Sequence, residues 1–532
     1  ILGGILEVLV LRRIYQSPEL FQLVATFGLV LLIQDAAHAI WGAQELLGPR
    51  APGLRGTASI FGENIPHYDL ALIVIGPAVF AAIWFLFHRT RWGVLVRAAT
   101  QDREMVGALG VDQAKLFTAT LFLGAFLAGL AGALQIPRSP AHSGMDISII
   151  AETFVVTVVG GMGSIPGAFL AALAIGLLQA FGALLIPKST LVMAFLLMAV
   201  VLVVRPWGFL GKPDAQLGAR AVIEGVSHLK PLDRRGGALL IVALVAAATL
   251  PLWGDAYALK VGVEIFCFAL AAFALNMLIG VGGMVSFGHA AWFGVGAYAA
   301  GLLTVKLGVN MIPALIAAPL LAGLIAAFVG FFIVRLSGIY LAMLTLAAAQ
   351  LIYALCFQWV DLTGGDNGVV GVWPAGWASS RTVYYALTFV LCVAAIYALR
   401  RMIYAPLGYA LRAARDSTLR AETIGVDVRA QRLIAFAIAG AATGLAGALY
   451  AFSKGSIDPT LVSIPMSVDF LVMVLIGGLQ TIFGAVLGAG VLHAAKDFIM
   501  PLTDFWRAWL GLAIVAVVLA FPQGVLGGLV EM

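Results

Sequence analysis

Arg97-Ala98-Ala99, Gly110-Val111-Asp112 and Gly129-Leu130-Ala131-Gly132-Ala133-Leu134 return, without a gap and 315 residues later, as Arg412-Ala413-Ala414, Gly425-Val426-Asp427 and Gly444-Leu445-Ala446-Gly447-Ala448-Leu449. Twelve of the 38 aligned positions are identical, and the pairs Gly160-Gly161 and Gly477-Gly478 follow in the same order. Solenoid modules recur every 20 to 50 residues or so. A repeat at this distance is a pair of whole domains.

Composition sets the solvent those domains face. Of 532 residues, 62% are hydrophobic and 11% charged, and the mean hydropathy is +1.04. A water-soluble chain of this size needs far more polar surface, so lipid covers much of this one. The same numbers exclude disorder. The net charge of +5 forms no basic stripe interleaved with aromatics, which argues against nucleic acid as a partner. Cys267, Cys356 and Cys392 all lie in apolar runs and carry neither a disulfide nor a metal signal.

Apolar runs long enough to span a bilayer fall near 20–41, 69–87, 116–136, 166–186 and 189–204, then near 236–252, 257–279, 284–304, 312–334, 338–360, 382–399, 431–452, 482–500 and 507–521. Two shorter stretches, 150–162 and 467–478, end in Gly-Gly. With the apolar stub before Arg12-Arg13 the expectation is an all-α, polytopic bundle of about 17 membrane segments in two parallel homologous domains. The chain begins at Ile1 with that stub, which is short for a full span. We therefore expect an N-terminally truncated first domain at 1–211, a cytoplasmic linker at 212–235 and a second domain at 236–532, with the chain's continuation past Met532 left open.

Lysine and arginine orient the chain. Loop 88–115 holds Arg89, Arg91, Arg97, Arg103 and Lys115, and loop 400–432 holds seven arginines; loop 42–68 has two, and loop 361–381 only Arg381. The positive-inside rule places the two repeated loops in the cytoplasm and the other two outside. The segment 205–235, with Pro206, Pro213 and Pro231 and six basic residues, follows a closing motif shared by both halves: Arg205-Pro206-Trp207-Gly208-Phe209-Leu210-Gly211 matches Phe521-Pro522-Gln523-Gly524-Val525-Leu526-Gly527. Both halves end on the same side, so the duplication is parallel and the halves can pack around an axis along the membrane normal.

Each repeated loop reads as an arginine-rich helix of about fifteen residues (409–424 in the second copy) that stops at a glycine. Gly110 and Gly425 suit the left-handed position just past a helix end, and Asp427 suits the cap of a helix beginning at Val428. Topology alone requires positive charge in such a loop. It does not require Gly-Val-Asp at one fixed distance from Arg-Ala-Ala twice, which suits two equivalent partners. Spacings such as Gly440-xxx-Gly444 and Ala128-xxx-Gly132 let helix backbones approach closely in hydrocarbon.

With these loops, the Tyr15-Gln16-Ser17-Pro18 segment, Gly280-x-x-Gly283-x-x-Ser286-x-Gly288-His289 followed by Phe293-x-Val295-Gly296-Ala297-Tyr298, and Thr363-Gly364-Gly365-Asp366-Asn367-Gly368, the chain resembles the two permease subunits of a branched-chain amino acid type ABC importer joined in one polypeptide. The resemblance covers nearly the whole chain. It implies that the repeated loops couple to two ATP-binding cassette subunits through Arg97, Arg103, Gly110, Val111 and Asp112 in one copy and Arg412, Arg415, Arg420, Gly425, Val426 and Asp427 in the other. It also implies a periplasmic solute-binding protein outside, a bacterial inner-membrane location, and ATP and Mg on the partner subunits, with no cofactor in this chain.

Several polar residues invite more than one reading. Gly283, Ser286, Gly288 and His289 mark a helix break that either lines the translocation path or serves close packing with a satisfied histidine. Glu152 and Asp469 each stand eight residues before a Gly-Gly pair, where a carboxylate makes a structural or gating bond, reaches the boundary, or touches substrate. The turn Thr363 to Gly368 docks the binding protein, gates, or simply turns. No phosphate-binding Gly-x-x-x-x-Gly-Lys-Ser/Thr loop is present, so catalysis is not expected in this chain. An ion-coupled secondary transporter also uses repeats and alternating access, and a non-transporting membrane scaffold or receptor is the third alternative. The substrate expected from the resemblance is a branched-chain or hydrophobic amino acid, with amides, urea or aromatic acids as alternatives.

Overall fold

The computed structural model describes residues 1–15, 19–60, 62–185, 190–211, 234–479 and 481–520. The segment Gln16-Ser17-Pro18, nearly all of the expected linker, and the second closing motif lie outside them. After three short helical segments, Leu2–Leu6, Glu7–Leu11 and Arg12–Ile14, the first half runs α1 (Glu19–Trp41), a hairpin of β1 (Thr57–Ile60) and β2 (Glu63–Pro66), α2 (His67–Arg89), α3 (Arg91–Gln101), α4 (Arg103–Ala108), α5 (Gln113–Gln135), α6 (Met145–Gly160), α7 (Ile165–Leu185) and α8 (Thr190–Val204). The second half runs α9 (Arg234–Trp253), α10 (Ala256–Asn276) continued by a π turn at Met277–Val281, α11 (Ala290–Val305), α12 (Met311–Ile333), α13 (Gly338–Gln358), β3 (Val369–Val372), α14 (Arg381–Ile403), α15 (Pro406–Asp416), α16 (Thr418–Thr423), α17 (Val428–Lys454), β4 (Gly455–Ile457), α18 (Ile464–Gly477), α19 (Gly484–Ile499) and α20 (Trp506–Ala520).

Eight successive helices, α1 to α8, are thus matched in order by α13 to α20. Among the described residues, nine helices are long and apolar enough to cross a membrane and five more are shorter apolar helices. The three remaining expected segments are also helical but differ in kind. The stub before Arg13 is a chain of short turns, α6 contains Asp146 and Glu152, and α19 contains His493, Lys496 and Asp497. Helices thus occur at all of the expected segments, and among the described residues nine of them have the length and apolar composition of a full span. The expected span 284–304 is shortened because the backbone is not helical before Ala290.

Burial separates two kinds of span. Of the best apolar window, none of α2 and 6% of α5 is buried, against 78% of α10 with its π turn and 61% of α17. Close backbone approach explains the difference. A Cβ on Gly440 or Gly444 collides with Ala326 or Ala322 of α12, and one on Gly447 with the Phe293 carbonyl of α11. In the first half Gly129 and Gly132, the partners of Gly444 and Gly447 in the repeat, have nothing within 4 Å. The close packing expected at Gly440-xxx-Gly444 is present, whereas at Gly132 of the Ala128-xxx-Gly132 spacing nothing stands within 4 Å. Leu2–Leu6 lies against α5, with Gly3 on Ala125, and Glu7 and Arg12 bond Thr118 of the same helix.

The two halves meet reciprocally. α20, the last helix of the second half, packs along α1, and α8, the last of the first, along α13. This is the exchange a parallel pseudo-twofold produces. At the first of these contacts Gly28 and Gly511 touch backbone to backbone, and the buried Asp35 carboxylate accepts a 2.7 Å hydrogen bond from the Ala508 N–H in the first turn of α20. An anion at a helix N-terminus offsets both its own desolvation and an unpaired N–H. The three cysteines are free and buried.

Candidate functional site

The repeated loops fold into the same elbow. In each, an eleven-residue helix (α3, α15) is followed by a six-residue helix (α4, α16) and then by a long membrane helix (α5, α17). The single fifteen-residue helix expected from the sequence is two. Asp102 and Ser417 adopt extended conformations between them, and each side chain accepts a hydrogen bond from a backbone N–H of the next turn, Met105 at 2.9 Å and Arg420 at 3.3 Å. This is N-capping, and it restarts the helix in a new direction.

Gly-Val-Asp is the second joint. Gly110 and Gly425 have φ of 83° and 89°, a left-handed conformation that glycine reaches without a Cβ penalty. Their N–H groups donate to Gly107 and Glu422, both at 3.0 Å, and the valine N–H groups reach back to Val106 and Ala421 at 3.4 and 3.1 Å. That is the Schellman pattern. Val111 packs with Ala99, Val106 and Leu116, and Val426 with Ala414, Ala421 and Val428. Asp112 and Asp427 then cap α5 and α17 through the N–H groups of Lys115 and Ala430, at 3.1 and 3.0 Å. The Lys115 N–H, then its side chain, hold the Asp112 carboxyl below the usual carboxylate value. The motif thus fixes the angle of the elbow.

The arginines divide by role. Arg97 donates to the Phe87 carbonyl, and Arg412 to those of Ile403 (3.0 Å) and Gly408 (3.2 Å). Each ties its elbow to the end of the preceding membrane helix, where free carbonyls and the helix dipole favour a cation. The approach is close because Gly93 and Gly408 stand where any Cβ would strike those same carbonyls. Arg103 bonds Gln113 at 3.0 Å and lies 4.6 Å from the Phe117 ring centre. Arg420 is exposed on α16. Sequence reasoning passed over the residue before each glycine: Leu109 and Ile424 are 76% and 75% exposed. Val94 and Tyr409, also paired by the repeat, are exposed as well. Apolar side chains bared in matching places, on or at the ends of helices other than the candidate spans, are what a docking face offers.

Arg415 turns the other way. Its side chain is 10% exposed; Nη1 donates to the Gly280 carbonyl at 2.7 Å, while Nε and Nη2 bond Asp416 at 3.1 and 3.0 Å. Gly280 belongs to the π turn that ends α10. Gly283, at φ 65°, is so close that a Cβ would stand 2.6 Å from the Arg415 Cγ. The second elbow is therefore hydrogen-bonded to the helix break. Thr100, the counterpart of Arg415 in the first copy, bonds only the local Arg97 carbonyl.

The break brings together Gly283, Ser286, Gly288 and His289 with residues the sequence did not single out. Thr345 accepts from the Phe287 N–H at 3.0 Å, Ser467 from the Ala290 N–H at 3.1 Å, and Thr443 from His289 Nε2 at 2.7 Å, the Thr443 hydroxyl itself donating to Ala439. Gly288 lies against the Thr345 carbonyl, closer than any side chain allows. The histidine is fully buried but only half satisfied. Its Nδ1 has no hydrogen-bond partner, nor do Asn276 Oδ1, Ser286 Oγ and Trp292 Nε1 around it. Buried polar atoms left unpaired cost about 1–3 kcal/mol each, and they gather along one short stretch.

Asp469 on α18 bonds Lys496 on α19 at 2.6 Å, while Glu152, its counterpart on α6, is exposed. Beside the first pair, Glu264 of α10 meets His493 of α19 at 3.0 Å. Ionisable groups within spans are expensive unless paired, and Glu264 inside the apolar run 257–279 was the available signal. In the loop after α13, the Thr363 hydroxyl lies within hydrogen-bonding distance of the carbonyls of Cys356 and Trp359, at 2.6 and 2.7 Å. Gly364, Gly365 and Gly368 all have positive φ, and Gly368 abuts the Ile457 carbonyl of β4, which pairs antiparallel with β3. Asp366 and Asn367 are exposed at the tip.

Known proteins agree with this duplicated architecture. The high-affinity branched-chain amino acid transport system permease protein LivM of Escherichia coli is 26% identical over 314 residues, covering 54% of this chain and 74% of its own. BraD of Pseudomonas aeruginosa, of the same description, is 29% identical over 219 residues (40% and 71%), and LivH of Escherichia coli 26% over 225 (40% and 71%). No solved structure matches the chain. The family described as branched-chain amino acid transport system / permease component matches twice, at residues 2–204 and 257–521. The chain therefore belongs to that family of multi-pass membrane permease components.

Proposed function

We propose that this chain supplies both halves of the membrane core of an ATP-driven importer, and that its two elbows seat two ATP-binding cassette subunits. On this reading residues 1–211 and 236–532 are the two permease domains in a bacterial inner membrane. A solute-binding protein delivers cargo to the outer face near Asp366 and Asn367, and ATP with Mg acts on the partner subunits. The relatives carry branched-chain amino acids by their names, which makes such amino acids, or related small organic solutes, the proposed substrates.

One observation carries the proposal: two elbows of matched geometry, each baring an apolar residue, Leu109 or Ile424, at its tip. Arg97 and Arg412 hold each elbow rigidly on its membrane helix, so a partner's displacement reaches the bundle. In the second half Arg415 passes it to the Gly280–His289 break. The unpaired polar atoms there support a role in the path, since a permeating solute or a second conformation offers them partners. The test is association. Leu109→Glu and Ile424→Glu, singly and together, are expected to weaken capture of the ATP-binding subunits by the purified chain, the double variant most. Unimpaired capture by the double variant refutes the docking assignment.

A further inference from the structure

A cavity of about 350 Å³ opens at the cytoplasmic end of α14, lined by Tyr397, Arg400, Arg401, Tyr404 and Ala405. Two adjacent guanidiniums here have no carboxylate within ion-pairing distance among the described residues. Arg400 lies 5.8 Å from the ring centres of both Tyr404 and Phe483, and its Nε is buried without a hydrogen-bond partner. Arg401 and Tyr397 are exposed.

We propose that this cavity binds the phosphodiester headgroup of an anionic phospholipid from the cytoplasmic leaflet. Guanidinium matches phosphate oxygens with paired hydrogen bonds, and Tyr397 and Tyr404, about two helical turns apart, stand where interfacial aromatics sit, at headgroup depth. The carbonyls ending α14 oppose an anion, but they amount to about half a charge against two full positive ones. Helix-end neutralisation needs no second arginine.

The repeat removes the bland explanation that these are topology charges. In the first copy the positions corresponding to Tyr397, Arg400 and Arg401 hold Ala82, Phe85 and Leu86, and that half is oriented by charges further along its loop. The tyrosine and the arginine pair that line the cavity are thus particular to the second half. Ala405 directly precedes Pro406, the first residue of α15, so a bound headgroup would brace the corner between membrane helix and elbow. The site does not depend on what the elbow docks.

The experiment is native mass spectrometry of the full chain from micelles supplied with equal phosphatidylglycerol and phosphatidylcholine. The wild type is expected to keep one phosphatidylglycerol at collision energies that strip phosphatidylcholine. Arg400→Gln with Arg401→Gln should lower that retention at least tenfold, Arg401→Gln alone partially, and Arg335→Gln, at another cytoplasmic helix end, not at all. The exposed Arg401 variant keeps the test decisive if the double variant misfolds. Equal retention of both lipids, no change in Arg401→Gln, or the same loss in Arg335→Gln overturns the site. Displacement of the lipid by millimolar inorganic phosphate overturns the lipid assignment in favour of free phosphate.

Discussion

Replacing Arg415 by glutamine removes the charged hydrogen bond that, among the described residues, joins the second elbow to the helix break. Of its contacts, those to Asp416 involve a carboxylate whose side chain is 60% exposed, and an exposed pair contributes about 0–1 kcal/mol. The 2.7 Å bond to the Gly280 carbonyl is charge-assisted and largely shielded from water, which sets its contribution at about 1.5–3 kcal/mol. Loss of about 2 kcal/mol weakens the mechanical link roughly 30-fold, since each 1.4 kcal/mol or so is a factor of ten. In vesicles containing the whole importer, amino acid taken up per ATP hydrolysed should fall at least tenfold while the ATPase subunits still co-purify. Arg415→Lys, with the charge but not the fork, should lie between, and Thr100→Ala should change little. Unaltered uptake per ATP in a folded complex refutes the link. So does parallel loss of assembly, hydrolysis and uptake, which indicates a structural role alone.

Gly447→Ala should lower the unfolding temperature of the purified chain, because its Cβ meets a backbone carbonyl and overpacking costs about 1–3 kcal/mol; Gly132→Ala, its counterpart in open space, should not. At Gly425 space is free and only φ is demanding, so Gly425→Val should destabilise by about 1–2 kcal/mol and Gly425→Asn by distinctly less; equal effects on thermal unfolding would show that the conformation is not the cause. Asp469→Asn leaves Lys496 unpaired inside the bundle and should cost about 3 kcal/mol. The exchange Asp469→Lys with Lys496→Asp should recover much of it in a double-mutant cycle.

Much of this was legible because it is local. Gly-Val-Asp states its own structure: a left-handed position, a packing valine and a cap, all within six residues. The division of each elbow at Asp102 and Ser417 was equally local and was missed, since neither residue breaks a helix by propensity strongly enough to stand out, and only the capping bond shows the turn. What joins distant residues was not legible. Arg415 meets Gly280 across 135 positions, His493 meets Glu264 across 229, and Asp35 reaches Ala508 across 473. A charge count assigned Arg97, Arg412 and Arg415 alike to a cytoplasmic face, whereas packing turns them onto helix ends and the break.

The most direct test of the whole account is uptake by vesicles containing the purified chain, first alone and then with its ATP-binding and solute-binding partners. The account predicts no solute accumulation by the chain alone under an imposed proton or sodium gradient, and ATP-dependent accumulation of a branched-chain amino acid once both partners are present. Gradient-driven accumulation by the chain alone, indifferent to ATP and to the partners, would contradict it.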